Sequence, residues 1–244
     1  MKIKECEPGK LSLVSEKIID LFDIKPADIN AWDIAWGLSQ ANRYNGQTPV
    51  PWDVLSHTGM CYALYMLDNK GGNADPATAL AILLHDAAEA YLGEVVQPLK
   101  MIPQMAWFSE LEDSIAQTIF ERFGLNWQSV DWETVKYYDC IALTHEIHWL
   151  KPTTNNNPFF CRVVNVPIDK YRKLGKARPE EFIGLVYQGA KHFGAKDINA
   201  LFEVPKILEP YIDTNPTTAQ DTVVSGDASF PERSSSADLD NMRI

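Results

Sequence analysis

The chain lacks a long apolar run, a paired-cysteine motif and an excess of basic residues. No stretch approaches the ~20 apolar residues of a membrane-spanning helix, and the first residues lack the apolar segment of a signal peptide. The four cysteines are scattered without a C-x-x-C pair, which is typical of reduced thiols, and we interpret Cys61 and Cys140 as core residues. We therefore expect a protein of the cytoplasm (the host cytoplasm if a phage encodes it) without a membrane partner.

Acidic side chains exceed basic ones, and the net charge is −11. A nucleic-acid-binding protein would show a basic patch or stripe, so we expect no nucleic-acid partner. Residues 209–244 carry −5 of this charge and are rich in Ser, Thr, Asp and Pro, a composition that favours disorder. We predict one folded domain at 1–208 followed by a disordered acidic tail at 209–244. A small phosphorylated ligand remains compatible with the acidic body, and a homo-oligomer stays open.

The remaining pattern predicts an all-α fold. Apolar periodicity and capping residues indicate helices at about 30–43, 52–68, 75–92, 104–123, 131–150 and 179–193. Asn30 and the pair Asp75-Pro76 are good helix starts, and a loop is expected between Pro98 and Pro103. Residues 11–22 fit either a short strand pair or a helix, and 153–178 are expected to be irregular.

The most informative feature is the dipeptide His85-Asp86 at the end of the apolar run 79–84. Burying an imidazole or a carboxylate without a partner costs several kcal/mol. Glu89 follows Asp86 by three residues and His85 by four, so it lies on the same face of the expected helix. Only a metal ion or a tight polar network would justify three such residues together.

Three further residues fit a metal centre. His57 lies on the apolar stripe of the helix predicted at 52–68, and Asp139 lies in the helix predicted at 131–150, with Glu146 two turns further along. Alone, each is commonly a core histidine or a solvated acid. Together, two histidines and two aspartates on three helices form a nitrogen–oxygen set suited to a divalent metal with open positions.

His57, His85-Asp86 and Asp139 resemble the H…HD…D motif of the HD-domain phosphohydrolase superfamily. The resemblance is closer still to its 5′-deoxynucleotidase-like branch, to which phage dATP triphosphohydrolases are related. It runs from about residue 10 to 194 and includes the segments 42–46, 84–94, 96–100 and 135–139. Two departures are a looser segment around the first histidine and Glu94, where the family more often has aspartate.

The resemblance implies an HD-domain helical bundle around one divalent cation (Mn, Co, Mg, Zn or Fe) held by the four residues of the motif. Glu89 would orient or deprotonate the attacking water. Arg43 would bind phosphate, because its planar fork suits phosphate oxygens, and Lys100 would be a second phosphate contact. Glu94 would hydrogen-bond the sugar or help to position water.

Three functions stay open. A nucleotidase would convert a deoxynucleoside 5′-monophosphate to nucleoside and phosphate, and a triphosphohydrolase would attack the α-phosphorus of a dNTP and release triphosphate. We favour the monophosphate because the sequence shows no obvious second basic cluster. A non-catalytic nucleotide-binding regulator would keep the fold without turnover. His145-Glu146-Ile147-His148 resembles a zinc-protease helix only loosely, since its histidines are three rather than four residues apart.

Overall fold

The structure, a computed structural model, describes residues 7–70, 72–150 and 176–212. Its helices are α1 Ala31–Gln40, α2 Val54–Asp68, α3 Pro76–Leu84, α4 Glu89–Leu92, α5 Gln97–Lys100, α6 Ala106–Arg122, α7 Trp132–Leu150, α8 Pro179–His192 and α9 Ile198–Leu201. Two strands, β1 Lys10–Ser12 and β2 Ile18–Asp20, pair antiparallel. Most of the tail expected at 209–244, and of the irregular segment expected at 153–178, lies outside the described residues.

A helix is found in each expected region, with two bounds corrected below, and the start signals at Asn30 and Asp75 are confirmed. The Asn30 side chain accepts hydrogen bonds from the amides of Trp32 and Asp33, and Asp75 caps α3 with Pro76 in its first turn. The fold is mostly helical, as predicted, and residues 11–22 take the strand-pair alternative. In the described part of the chain, no helix combines the length and apolar character of a bilayer span.

Helices α2 and α3 form the centre of the domain. They pack against each other, and both contact α7. Every residue of α3 from Thr78 to Leu84 is buried, which explains why this segment is apolar on all sides rather than on one stripe. The carboxyl end of α3 therefore lies between α2 and α7, and it delivers His85 and Asp86 to the interior.

One helix expected at 75–92 is instead two, separated by the turn 85–88. The turn carries i→i+3 bonds, such as the amide of Ala87 to the carbonyl of Leu84 at 3.0 Å. In an unbroken helix the Ile82 carbonyl accepts from the amide of residue 86, but here it binds His85 Nδ1 at 2.8 Å. The side chain competes with the backbone for this acceptor, a competition that disfavours a helix interior.

Two other expectations are corrected. The first helix ends at Gln40 rather than near Arg43, because Ala41 and Asn42 already have extended backbone angles that no α-helix accepts. The segment between Pro98 and Pro103, expected as a loop, begins with the short helix α5. Proline at its second position is compatible with a helix, since the first-turn amides need no intrahelical acceptor.

Gly37 sets the distance between α1 and α4. A Cβ added there would lie 2.8 Å from the Ala90 carbonyl oxygen and 2.9 Å from the Ala90 Cβ. We predict that Gly37→Ala lowers the free energy of unfolding by about 1–3 kcal/mol, as overpacking does. Urea denaturation measures this change.

Gly184 provides the matched control. It lies on the exposed side of α8 with nothing within 4 Å of an added Cβ, so Gly184→Ala should raise the stability by about 0.5–1 kcal/mol through helix propensity alone. Equal effects of the two substitutions would show that α1 and α4 are not closely packed.

Candidate metal centre

The four residues of the H…HD…D motif meet at the junction of α2, α3 and α7. His57 Nε2 lies 3.2 Å from Asp139 Oδ1 and 3.7 Å from Asp86 Oδ2. His85 Nε2 lies 3.2 Å from the same Asp86 oxygen. Four side chains that are up to 82 residues apart in the sequence thus present two nitrogens and two oxygens to one point, and we call this group the four-donor cluster.

Hydrogen bonds fix the direction in which both imidazoles face. His57 Nδ1 lies 2.8 Å from Glu146 Oε1, and His85 Nδ1 lies 2.8 Å from the carbonyl oxygen of Ile82. Since a carboxylate and a carbonyl only accept, each Nδ1 carries a hydrogen and each Nε2 faces the cluster, where it presents a lone pair once the imidazole is neutral. Metal-binding histidines are held in this way, so these residues fit a cation.

Three buried polar atoms around the cluster have no hydrogen-bond partner among the described residues: His85 Nε2, Glu89 Oε2 and Glu94 Oε2. A buried polar atom without a partner costs about 1–3 kcal/mol. The contact of His85 Nε2 with Asp86 lacks the alignment of a hydrogen bond. A nitrogen and two oxygens of this kind match the donors that a divalent cation and its substrate require.

The cluster stabilises positive charge. Burial opposes ionisation of Asp86, but His85 and His57 outweigh it and hold the pKa of that carboxyl well below its usual range. The pKa of Asp139 is lowered in the same way, chiefly through His57. Burial likewise opposes charge on His85, and the Asp86 and Asp139 carboxylates nevertheless raise its pKa. A bound cation would supply the positive charge that protons otherwise provide.

Glu89 begins α4 next to the cluster. Burial, and then the negative charge of Asp86, raise the pKa of Glu89 to about 8. Its Oε1 accepts from Lys100 Nζ at 3.2 Å, and the same ammonium binds Glu112 Oε1 at 2.6 Å. A carboxylate with a pKa near neutrality is suited to take up a proton, and Lys100 holds it in place. The expected role of Lys100 as a phosphate contact therefore competes with two carboxylates.

Arg43 also lies beside Asp86. Its Nε donates to Glu146 Oε2 at 3.0 Å, and one terminal nitrogen lies 3.8 Å from Asp86 Oδ2. The Arg43 side chain is only 11% exposed, so its guanidinium is fixed beside the cluster rather than extended into solvent. Glu94 lies close by, where Arg43 and the Tyr44 amide partly offset the rise in its pKa that burial causes.

Glu146 is the functional residue whose importance the sequence understates. Its carboxylate is fully buried and accepts four hydrogen bonds, with Oε1 bound by Trp52 Nε1 and His57 Nδ1 and Oε2 by Arg43 Nε and Tyr44 Oη. Burial opposes its ionisation, but Arg43 and His57 lower the pKa of Glu146 to about 2. The seven-residue spacing from Asp139 predicts which face of the helix Glu146 occupies. Nothing in the sequence identifies the hydrogen-bond donors that contact its carboxylate.

Cys61 is more than the core residue that the sequence suggests. Its Sγ lies 3.5 Å from His57 Nε2, and His57, Cys61 and His85 each offer a donor atom within 4.8 Å of the others. These three residues could hold a metal ion. The loose zinc-protease resemblance finds no support in the geometry, because Glu146 is bound to His57 while His148 is exposed.

Comparisons with known proteins supply relatives but no activity. No family model matches the chain. The chain is 36% identical over 115 residues to an uncharacterized protein of Rhodobacter capsulatus, and this alignment covers 46% of the chain and 57% of that protein. Over 124 residues it is 32% identical to the uncharacterized protein YfdR of Escherichia coli K12, which covers 50% and 62% respectively. The chain thus spans less than two thirds of the length of these curated relatives.

The four donors on Glu146 lead to a stability prediction. Glu146→Gln keeps the shape, but its amide nitrogen must face two donors, and the charges of Arg43 and His57 lose their partner. We expect the free energy of unfolding to fall by about 3 kcal/mol or more, the scale of a broken buried ion pair. Urea denaturation of the metal-free protein measures this loss.

Tyr44→Phe is the control for this loss. It removes one donor from Glu146 Oε2 and leaves the other three, so the cost should be about 1 kcal/mol. A loss for Glu146→Gln no larger than that for Tyr44→Phe would contradict the central role of this carboxylate.

Proposed function

We propose that the chain is a metal-dependent phosphohydrolase of the HD-domain superfamily that acts on deoxynucleotides. The observation that carries the proposal is the four-donor cluster with Glu89 beside it. Two imidazole nitrogens and two carboxylate oxygens converge, with nitrogen–oxygen distances of 3.2–3.7 Å. Hydrogen bonds at Nδ1 hold both imidazoles in place. A helical core does not need this arrangement for stability, because buried ion pairs are weak stabilisers.

The chain's own residues divide the chemistry between them. The four-donor cluster would hold one divalent cation, whose contribution is to activate water and to offset negative charge on phosphorus. Glu89 takes the proton of the attacking water, and Lys100 keeps its carboxylate oriented. Arg43 binds the phosphate oxygens with the end of its guanidinium that faces Asp86, and Glu94 hydrogen-bonds the sugar.

The charge around the cluster favours the monophosphate as substrate. Arg43, Lys100 and Lys136 each already contact a carboxylate, with Lys136 Nζ 2.5 Å from Asp139 Oδ2. Each additional phosphate would bring further negative charge towards cations that are largely compensated. We therefore propose deoxynucleoside 5′-monophosphates as substrates, which the enzyme converts to deoxynucleoside and phosphate.

A product assay tests the proposed reaction and its alternatives together. The purified chain is incubated with each deoxynucleoside mono- and triphosphate in the presence of Mn²⁺, Co²⁺, Mg²⁺ or Zn²⁺. We expect phosphate from monophosphates. Inorganic triphosphate from dNTPs would identify the triphosphohydrolase instead. Nucleotide binding without turnover under every condition would identify the regulator and refute the enzyme.

The metal requirement gives a prediction on Asp86, whose Oδ2 contacts both imidazoles. Asp86→Ala removes the oxygen that lies near both imidazole Nε2 atoms, 3.7 Å from that of His57 and 3.2 Å from that of His85, so both bound metal and turnover should be lost. Metal content by elemental analysis and turnover by phosphate release measure the two effects. Asp113→Ala, on the exposed side of α6, is the control and should keep both. Full metal content and rate in Asp86→Ala would refute the assignment.

The proposed base gives a prediction on Glu89. Glu89→Gln is nearly isosteric and does not change the four-donor cluster, so the metal should stay while kcat falls by ~10²-fold or more. Glu112→Gln is the matched control, because Glu112 binds the same Lys100 ammonium from the other side. It should retain most of the rate. An unchanged kcat in Glu89→Gln would move the base elsewhere, with Glu94 the first alternative.

A further inference from the structure

The thiol of Cys61 lies beside the four-donor cluster, on the same helix as His57 and in contact with it. Cys61 follows His57 by four residues on α2, so both side chains lie on one helix face. Both are fully buried. Two ligands at i and i+4 on one helix can bind a single ion, as the histidines of zinc-protease helices do.

The distance between these side chains is that of two ligands of one ion. Cys61 Sγ lies 3.5 Å from His57 Nε2. Donors placed about 2.0–2.3 Å from a common metal lie roughly 3–3.8 Å from one another. The His57 Nε2 contacts with Asp139 at 3.2 Å and Asp86 at 3.7 Å fall in the same range. The thiol therefore continues the cluster rather than lying apart from it.

His85 independently indicates a ligand at this position. Its side chain is 8% exposed, its Nε2 has no hydrogen-bond partner among the described residues, and its Nδ1 is bound to the Ile82 carbonyl. With Nδ1 bound, Nε2 is the His85 nitrogen that remains for a ligand, and the donor atoms of His85 and Cys61 lie within 4.8 Å of each other. A thiol that only fills the core needs no such neighbour.

We propose that Cys61 is a fifth protein ligand of the cation, and that its sulfur makes the centre select Zn²⁺, Fe²⁺ or Co²⁺ over Mg²⁺ and Mn²⁺. This inference rests on the proposed metal centre. On binding, the S–H bond breaks, a metal–sulfur bond forms and the proton passes to solvent, without any change of oxidation state. Thiolates favour softer metals, whereas an all-oxygen or nitrogen–oxygen set also accepts Mg²⁺ and Mn²⁺.

Cobalt substitution tests the assignment by spectroscopy rather than by activity. The full chain is stripped of metal with a chelator and titrated with Co²⁺, and a sulfur-to-cobalt charge-transfer band in the ultraviolet is the expected result. The variant Cys6→Ser/Cys140→Ser/Cys161→Ser leaves Cys61 as its only thiol and should keep the band. Cys61→Ser should bind Co²⁺ without it, and Cys140→Ser alone should behave as wild type.

Metal competition measures selectivity on the same proteins. In Cys61→Ser the Zn²⁺ affinity should fall by at least about tenfold, since losing even an outer partner of a ligand costs that much. The Mn²⁺ affinity should change far less.

The failures of the two proposals are distinguishable. A wild-type chain that binds no Co²⁺ would refute the metal centre and with it the proposed function. Bound Co²⁺ without the band, in wild type or in the triple variant, would refute Cys61 as a ligand and leave the centre standing. This holds even if Cys61→Ser does not fold, because the other two spectra decide.

Discussion

The buried carboxylate of Glu146 is the constraint on which the rest of this structure depends. A carboxylate removed from water is tolerated only with charged partners and with hydrogen bonds to its oxygens. Here Trp52, Tyr44, Arg43 and His57 provide them. These donors come from α2 and from the connection between α1 and α2, so one side chain of α7 ties three segments together. Tyr44, one of the four donors, has left-handed backbone angles.

The same hydrogen bonds that satisfy Glu146 also prepare the candidate centre. His57 donates to Glu146 through Nδ1 and therefore presents its other nitrogen to Asp86 and Asp139. At His85 the acceptor of the Nδ1 hydrogen is a backbone carbonyl rather than a carboxylate, and α3 ends there. The lost helix regularity and the oriented imidazole have one cause, which is the bond between His85 Nδ1 and the Ile82 carbonyl. The chain thus departs from regular helix geometry where the imidazole is held in a fixed orientation, and such departures are common at functional sites.

The sequence predicts what is local and periodic. Helix starts at Asn30 and Asp75 follow from side chains that cap amides of their own segment, and the metal-type residues stand out because they interrupt apolar faces. What the sequence does not predict depends on partners from other segments. The donors on Glu146 and the two carboxylates on Lys100 become visible only when the segments that carry them are packed together. The sequence does not predict the break at His85, because the alanines at 87, 88 and 90 favour a continuous helix and the bond from His85 Nδ1 to the Ile82 carbonyl is visible only in the structure.

The hydrogen bond of Arg43 to Glu146, which stabilises the fold, also restricts how Arg43 could bind a phosphate. Its Nε donates to Glu146, and one of its two terminal nitrogens lies 3.8 Å from Asp86 Oδ2. In the proposed function, a phosphate would meet a guanidinium whose rotamer is already fixed, and ordering this side chain would cost little on binding. Lysine would keep the charge but could not bind Glu146 and a phosphate at once in one plane. The Glu146 carboxylate thus orients both His57 and Arg43. In the proposed function these residues would bind the metal ion and the phosphate respectively, and Glu146 would belong to the centre without contacting either ligand.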